Sequence, residues 1–227
     1  MKLIKVKNYS EMSEKAAELV VKDTDKKPAL AIAFATGKTP LGLYKNLAEA
    51  CRKKQVDFSK IKAFNLDEYY PIKKSDKKSF YYYLFKNLFN KINIKKENTN
   101  LLNGETKNPG GECWDYEKKI KKSPIDLQIL GVGVNGHIGF NEPSSLKESR
   151  TRLVDLKHKA VKSKALTQGI STIMSAKKII LLASGKKKAE AIKCLLKCKP
   201  DKCCPISFLK KHKNFIVIVD KEAASLL

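Results

Sequence analysis

The stretch ALAIAFATGKTPLGLY, residues 29–44, changes character at its middle. Ala29 to Ala35 is continuously apolar, the pattern of a strand buried on both faces. Beyond the turn Thr36-Gly37-Lys38-Thr39-Pro40, the residues Leu41, Tyr44, Leu47, Ala48 and Cys51 fall on one face of a helix. A strand, a glycine turn and a helix in that order aim backbone N–H groups outward at a helix N-terminus, which suits an anion such as phosphate. Turns of this kind also occur in crossovers that bind nothing, so the rest of the chain has to decide between the two readings.

The alternation recurs. Apolar runs at 61–66 (IKAFNL), 126–132 (DLQILGV), 178–183 (KIILLA) and 214–219 (NFIVIV) alternate with helical patterns that include 41–53, 79–91 and 186–197. The opening MKLIKVKNYS alternates apolar and lysine positions and lacks the apolar centre of a signal peptide, so it reads as a first strand. Together these features predict an α/β fold, a Rossmann-like, mainly parallel sheet covered by helices, in a single domain spanning residues 1–227. No Pro/Gly/Ser-rich linker, internal repeat or membrane-spanning run interrupts it, and a cytoplasmic location is expected.

The chain carries 47 basic and 23 acidic residues, a formal charge of +24. Lysine greatly outnumbers arginine, the charges are spread throughout, and no nucleic-acid module is recognisable, so neither a nucleic acid nor a membrane is expected as partner. The balance fits an anionic small molecule without demanding one. Six cysteines stand at 51, 113, 194, 198, 203 and 204, and the cluster CLLKCKPDKCCP has neither a CxxC spacing nor a nearby histidine, so no metal site is expected. A structural disulfide is not expected in a cytosolic chain either.

In a parallel sheet the ligand crevice lies at the carboxyl ends of the strands. The apolar runs here lead at those ends into ATGKTP, DEYY, GVNGHIGFNEP and SGKKKA. Asp67 and Glu68 directly follow a buried strand, where a carboxyl facing the crevice becomes a usable base by partial desolvation; the bland alternative is a helix cap or a surface acidic pair. Gly131, Gly133, Gly136 and Gly139 surround His137, more glycine than a core histidine needs. Glu142 can return across the turn to His137 and hold one ring tautomer. His158 and His212 sit in lysine-rich segments and are expected to be exposed. ASGKKKAE, residues 183–190, repeats the strand–glycine–helix form and places lysines where they oppose the helix dipole, a conflict that a bound anion would relieve.

Taken together, ATGKTPLGLY, FNLDEYYPI, GVNGHIGFNEP with SRTRL, and ALTQGISTIMSAKKIILLASGKKKAEAI resemble the glucosamine-6-phosphate deaminases of the sugar-isomerase-like α/β superfamily. The likeness extends in order over nearly the whole chain, and NGHIGFNEP distinguishes it from the related 6-phosphogluconolactonases. The resemblance implies conversion of glucosamine 6-phosphate and water to fructose 6-phosphate and ammonia, in amino-sugar catabolism, without an organic cofactor, by a monomer or homo-oligomer. It assigns ring opening to His137, supported by Glu142 with Asn135 beside it, and proton transfer between C2 and C1 to Asp67. It assigns substrate binding to Thr36, Gly37 and Thr39, with Lys188 as a cation for the phosphate; Lys38, in the same turn, is expected to bind the phosphate as a second cation. A non-catalytic sugar-phosphate sensor and a lactonase-like hydrolase are the alternative readings.

Three positions depart from the pattern. Asn135 stands where some members have aspartate, and Lys38 where a small residue is usual. The segment Arg152 to Ala165 is shorter than in many relatives, whose longer segment forms a lid bearing a phosphate-binding arginine; here no further arginine follows Arg152 in it. Val154 replaces a second cation of the relatives that respond to N-acetylglucosamine 6-phosphate, so weak activation or none is expected.

Overall fold

The computed structural model describes residues 1–156 and 163–227. Its strands are β1 (Lys2–Val6), β2 (Ala31–Phe34), β3 (Lys62–Asn65), β4 (Asp67–Tyr70), β5 (Thr99–Asn100), β6 (Leu127–Leu130), β7 (Arg152–Leu156), β8 (Ser163–Thr167), β9 (Lys178–Ala183) and β10 (Phe215–Asp220). The helices are α1 (Tyr9–Lys26), α2 (Leu41–Arg52), α3 (Phe80–Asn87), α4 (Pro109–Lys122), α5 (Ile170–Met174) and α6 (Ala189–Lys197), with short 3-10 turns between some of them.

Seven strands form a parallel sheet in the order β1-β10-β9-β6-β2-β3-β5. Side chains alternate across it as a period of two requires. Ile32, Phe34, Ile180 and Leu182 enter the core under α1, α2 and α3, whereas Ala31, Ala33, Ile179 and Leu181 enter the core shared with Tyr116 and Ile120 of α4 and Ile192 and Leu195 of α6. Every residue of β2 and β6 is buried, which is why these strands read as mostly apolar runs, with Gln128 the polar residue in β6. From β2 the chain proceeds outward through β3 to β5, and from β6 it proceeds the other way through β9 to β10. The order therefore reverses between β2 and β6, and the crevice of the sheet opens beyond their carboxyl ends. The turns ATGKTP and GVNGH emerge at that point.

A second sheet was not foreseen. After Leu66 the chain leaves the parallel sheet, and β4 pairs antiparallel with β8, which pairs with β7. Asp67 and Glu68 are thus residues of a strand, and the shortened segment forms the two arms of a hairpin. Lys157, Lys159 and Lys162 of that segment lie outside the described residues, as does His158. Lys164 lies in β8, opposite Tyr70 of β4.

Two further expectations are corrected. His212 is buried, at 9 % exposure, with Nδ1 accepting from Asn214 N (3.2 Å) and Nε2 against Ala176 O (2.7 Å). Its ring ties the last 3-10 turn to the loop before β9, although its sequence neighbours are lysines. Cys194 of α6 is paired with Cys204, because α6 packs on the turn at 205–211 and brings the two sulfurs together.

Candidate active site

Thr36, Gly37, Lys38, Thr39, Asp67, His137 and Lys188 line one cleft of about 870 Å³ at the switch point of the sheet. Asn135 and Glu142 stand behind His137 and do not line it. A second cleft, of about 970 Å³ beside Trp114 and Arg150, holds none of the predicted residues. The first lies at the carboxyl ends of the strands and is lined by the titratable groups singled out in the sequence, Asp67, His137, Lys38 and Lys188.

The 36–39 turn is held from outside by its carbonyls. Tyr83 of α3 donates its hydroxyl hydrogen to Gly37 O at 2.5 Å, and Tyr9 of α1 donates to Lys38 O at 3.2 Å while accepting from Gly42 N at 2.7 Å. Gly37 has φ +91°, a conformation that a side chain would strain. Among the described residues the N–H groups of Gly37, Lys38 and Thr39 donate to no protein acceptor, and α2 has no side-chain cap. The turn therefore offers backbone donors at the positive end of a twelve-residue helix.

Asp67 is 5 % exposed, and its Oδ1 has no hydrogen-bond partner among the described residues. Burial, and then the charge of Glu68, raise its pKa well above the usual carboxylate value. Asn65 fixes the strand beneath it: its Nδ2 donates to Asp67 O (2.7 Å), its Oδ1 accepts from Leu102 N (2.9 Å), and its own carbonyl accepts from Gln168 Nε2 (2.9 Å) and Tyr116 Oη (2.6 Å). Tyr69, Phe80 and Phe140 form an aromatic wall on this side, with ring centroids 4.8–6.1 Å apart.

His137 Nδ1 lies 3.0 Å from Glu142 Oε1, and Asn135 Nδ2 donates to Glu142 Oε2 at 2.8 Å. Asn135 Oδ1 also accepts from His137 N at 3.2 Å. A carboxylate only accepts, so a hydrogen bond across this gap puts the proton on Nδ1. Glu142 is the carboxylate of this group, and Asn135 fixes its second oxygen. A Cβ at Gly133 would fall on the imidazole, so the glycine makes room for the ring. Asn141 anchors the end of the loop through Ile138 O and Gln168 O (both 2.8 Å) and accepts from Arg152 Nη1 at 2.9 Å.

Lys188 is half-buried, and burial depresses its pKa. Among the described residues, Lys38, Lys186, Lys187 and Lys188 pair with no carboxylate, although Glu222 also lines the cleft. The turn that carries the last three lysines is set by Asp220 of β10, which accepts from Ser184 Oγ, Gly185 N (3.1 Å) and Ala223 N (2.8 Å).

Sequence reasoning missed Asn65, Tyr83, Asp220 and the use of Glu68. Asn65 and Asp220 had a readable signal, since each is a polar residue ending an otherwise apolar strand. Tyr83 had none, because its partner is 46 residues away.

A sequence profile of the family "Glucosamine-6-phosphate isomerases/6-phosphogluconolactonase" matches residues 6–218. A glucosamine-6-phosphate deaminase of Clostridium novyi is 49 % identical over 241 aligned positions, covering 100 % of both chains. One from a Thermoanaerobacter species is 47 % identical, covering 100 % of this chain and 95 % of its own. A solved structure of a monomeric glucosamine-6-phosphate deaminase superposes with a TM-score of 0.97 at 37 % identity over the whole of both chains. The 6-phosphogluconolactonase of Thermotoga maritima, at 22 % identity, TM-score 0.80 and coverage of 97 % of this chain and 99 % of its own, shares the fold.

Proposed function

Because the chain belongs to the glucosamine-6-phosphate isomerase/6-phosphogluconolactonase family, we propose that it is an enzyme that converts glucosamine 6-phosphate and water to fructose 6-phosphate and ammonia. The observation that carries the reading is a buried Asp67, its Oδ1 without a partner among the described residues, lining the same cleft as His137, which Glu142 backs, and the phosphate-ready turn. With the phosphate on the N–H groups of 36–39 and Lys188, His137 moves protons between the ring oxygen and the anomeric hydroxyl, and Glu142 with Asn135 holds its tautomer. Asp67 then takes the proton from C2 of the open-chain aminosugar and returns it to C1. The resulting imine at C2 adds water and releases ammonia, so the atoms balance without a cofactor.

The alignments with curated relatives span 241 positions against 227 residues here, so those relatives carry residues this chain lacks, in keeping with a shortened 152–165 segment. With no arginine beyond Arg152 in that segment, Lys38 is the second cation for the phosphate. Its turn is fixed by β2 and α2, so it loses less entropy on binding than a lysine in a loop. On this reading the protein serves amino-sugar catabolism, and the proposal extends to use of N-acetylglucosamine after deacetylation and to a cytoplasmic location. Among the described residues no helix is long and apolar enough to cross a membrane.

Purified protein with glucosamine 6-phosphate, coupled to detection of fructose 6-phosphate and ammonia, tests the proposal. Both products should appear in equal amounts. Hydrolysis of 6-phosphogluconolactone without ammonia release would reassign the chain to the lactonases, and tight sugar-phosphate binding without turnover would make it a sensor.

A further inference from the structure

Glu68 is 1 % exposed and takes no part in the proton transfers above. Successive strand residues face opposite sides, so with Asp67 toward the cleft Glu68 points behind it. There its Oε1 accepts from Tyr69 N (2.9 Å) and Phe80 N (2.8 Å), and its Oε2 accepts from Tyr81 N (2.8 Å). Ser79 Oγ accepts the next N–H of α3, from Tyr82, at 2.9 Å. The opening donors of α3 are therefore satisfied by β4 and by the helix's own cap, with a carboxylate at the positive end of the helix. One turn further on, Tyr83 bonds Gly37 O. Phe80, at the clamped end, stands in the aromatic wall beside Asp67.

We infer that Glu68 and Tyr83 are positioning residues that make α3 a strut between the strand bearing the base and the turn that holds the phosphate. The strut sets the spacing of Asp67 from the substrate's phosphate anchor, so the two ends of one small sugar phosphate meet their groups together. This rests on the functional reading above for the identity of the ligand. The carboxylate of Glu68 has a second consequence, since its charge adds to burial in raising the pKa of Asp67. The other titratable groups around Asp67 are Tyr69 on its own strand, Tyr44 of α2, Tyr116 of α4 and His137 of the glycine loop.

The test compares Tyr83→Phe, Glu68→Gln and the double variant, reading KM, kcat, the acid limb of kcat/KM, and fructose 6-phosphate affinity by calorimetry. Tyr83→Phe removes one neutral hydrogen bond and should raise KM and the Kd for fructose 6-phosphate by about fivefold with kcat little changed. Glu68→Gln should raise KM at least as much and move the acid limb to lower pH, because the charge opposing ionisation of Asp67 is gone. The double variant should be no worse in KM than Glu68→Gln, because both act through one helix. A merely stabilising role would lower the melting temperature and leave KM and the acid limb where they were. Unchanged KM and Kd in Tyr83→Phe, or additive effects in the double variant, would overturn the strut; should Glu68→Gln not fold, Tyr83→Phe decides alone. If the wild type binds fructose 6-phosphate without turning over the aminosugar, the functional reading fails while the calorimetric comparison still judges the strut.

Discussion

The two glycine turns at the edge of the sheet look alike in sequence and are held in opposite ways. Both place a glycine at positive φ, Gly37 at +91° and Gly185 at +88°, and both lead from a buried strand into a helix. In the first, tyrosines from α1 and α3 hold the carbonyls of Gly37 and Lys38, which leaves the N–H groups of the turn for a ligand. In the second, Asp220 takes the N–H of Gly185, and a 3-10 turn of three lysines precedes α6. The first turn is built to donate backbone hydrogens and the second to present a cation. Which a turn offers depends on which of its backbone groups the rest of the protein has already used.

Expected outcomes of decreasing size test that division. The largest removes the base and spares both turns: Asp67→Asn should abolish deamination and C2-proton exchange with solvent while fructose 6-phosphate binding stays within about twofold, since the amide keeps the shape. The same variant should be more stable than the wild type. Burial and Glu68 raise the folded-state pKa of Asp67 above its unfolded value, so the penalty grows as pH rises from about 4 through the raised value and remains in full above it. The gain in melting temperature should accordingly be larger at about pH 8 than at about pH 5.

Next is the cation of the second turn. Lys188→Ala should raise KM by about 10- to 100-fold, the range of a hydrogen bond to a charged group, and a smaller loss than in Lys38→Ser would reverse the roles assigned to the two turns. Lys38→Ser should raise KM about tenfold with kcat much less affected, because the backbone donors of the first turn remain. Lys164→Ala should change KM little; an essential Lys164 would move the missing charge back to the hairpin. Smallest is the response to N-acetylglucosamine 6-phosphate. Arg152 is engaged with Asn141 and Ser145 and Val154 adds no charge, so the rate curve should not shift, and a strong leftward shift in steady-state assays would contradict this.

Much of the fold was legible because burial on both faces of a parallel strand leaves a mostly apolar run, and β2, β3, β6, β9 and β10 all lie in one. The group around His137 was legible for a related reason. Residues 135, 137 and 142 are close in sequence, so turn geometry alone nearly brings Asn135, the imidazole and Glu142 together. The second sheet was hidden because β4, β7 and β8 are partly exposed and paired only with one another. His212 was misjudged because charged neighbours in sequence do not report what packs against a side chain, and the Cys194–Cys204 pair because an expected compartment does not report which elements pack together.

The sequence by itself determined the alternation of strands and helices, the glycines that permit the turns, and the residue types gathered at the carboxyl ends of the strands, all of which depend on interactions within a few residues. Only the tertiary structure decided that Asp67 faces the cleft while its neighbour Glu68 clamps α3, that Tyr83 reaches Gly37, and that Asp220 occupies the N–H of one turn while the N–H groups of the other are left open. Each of those depends on partners brought together across 12 to 46 positions of chain, and local propensity carries no information about which distant group will use a given donor or acceptor.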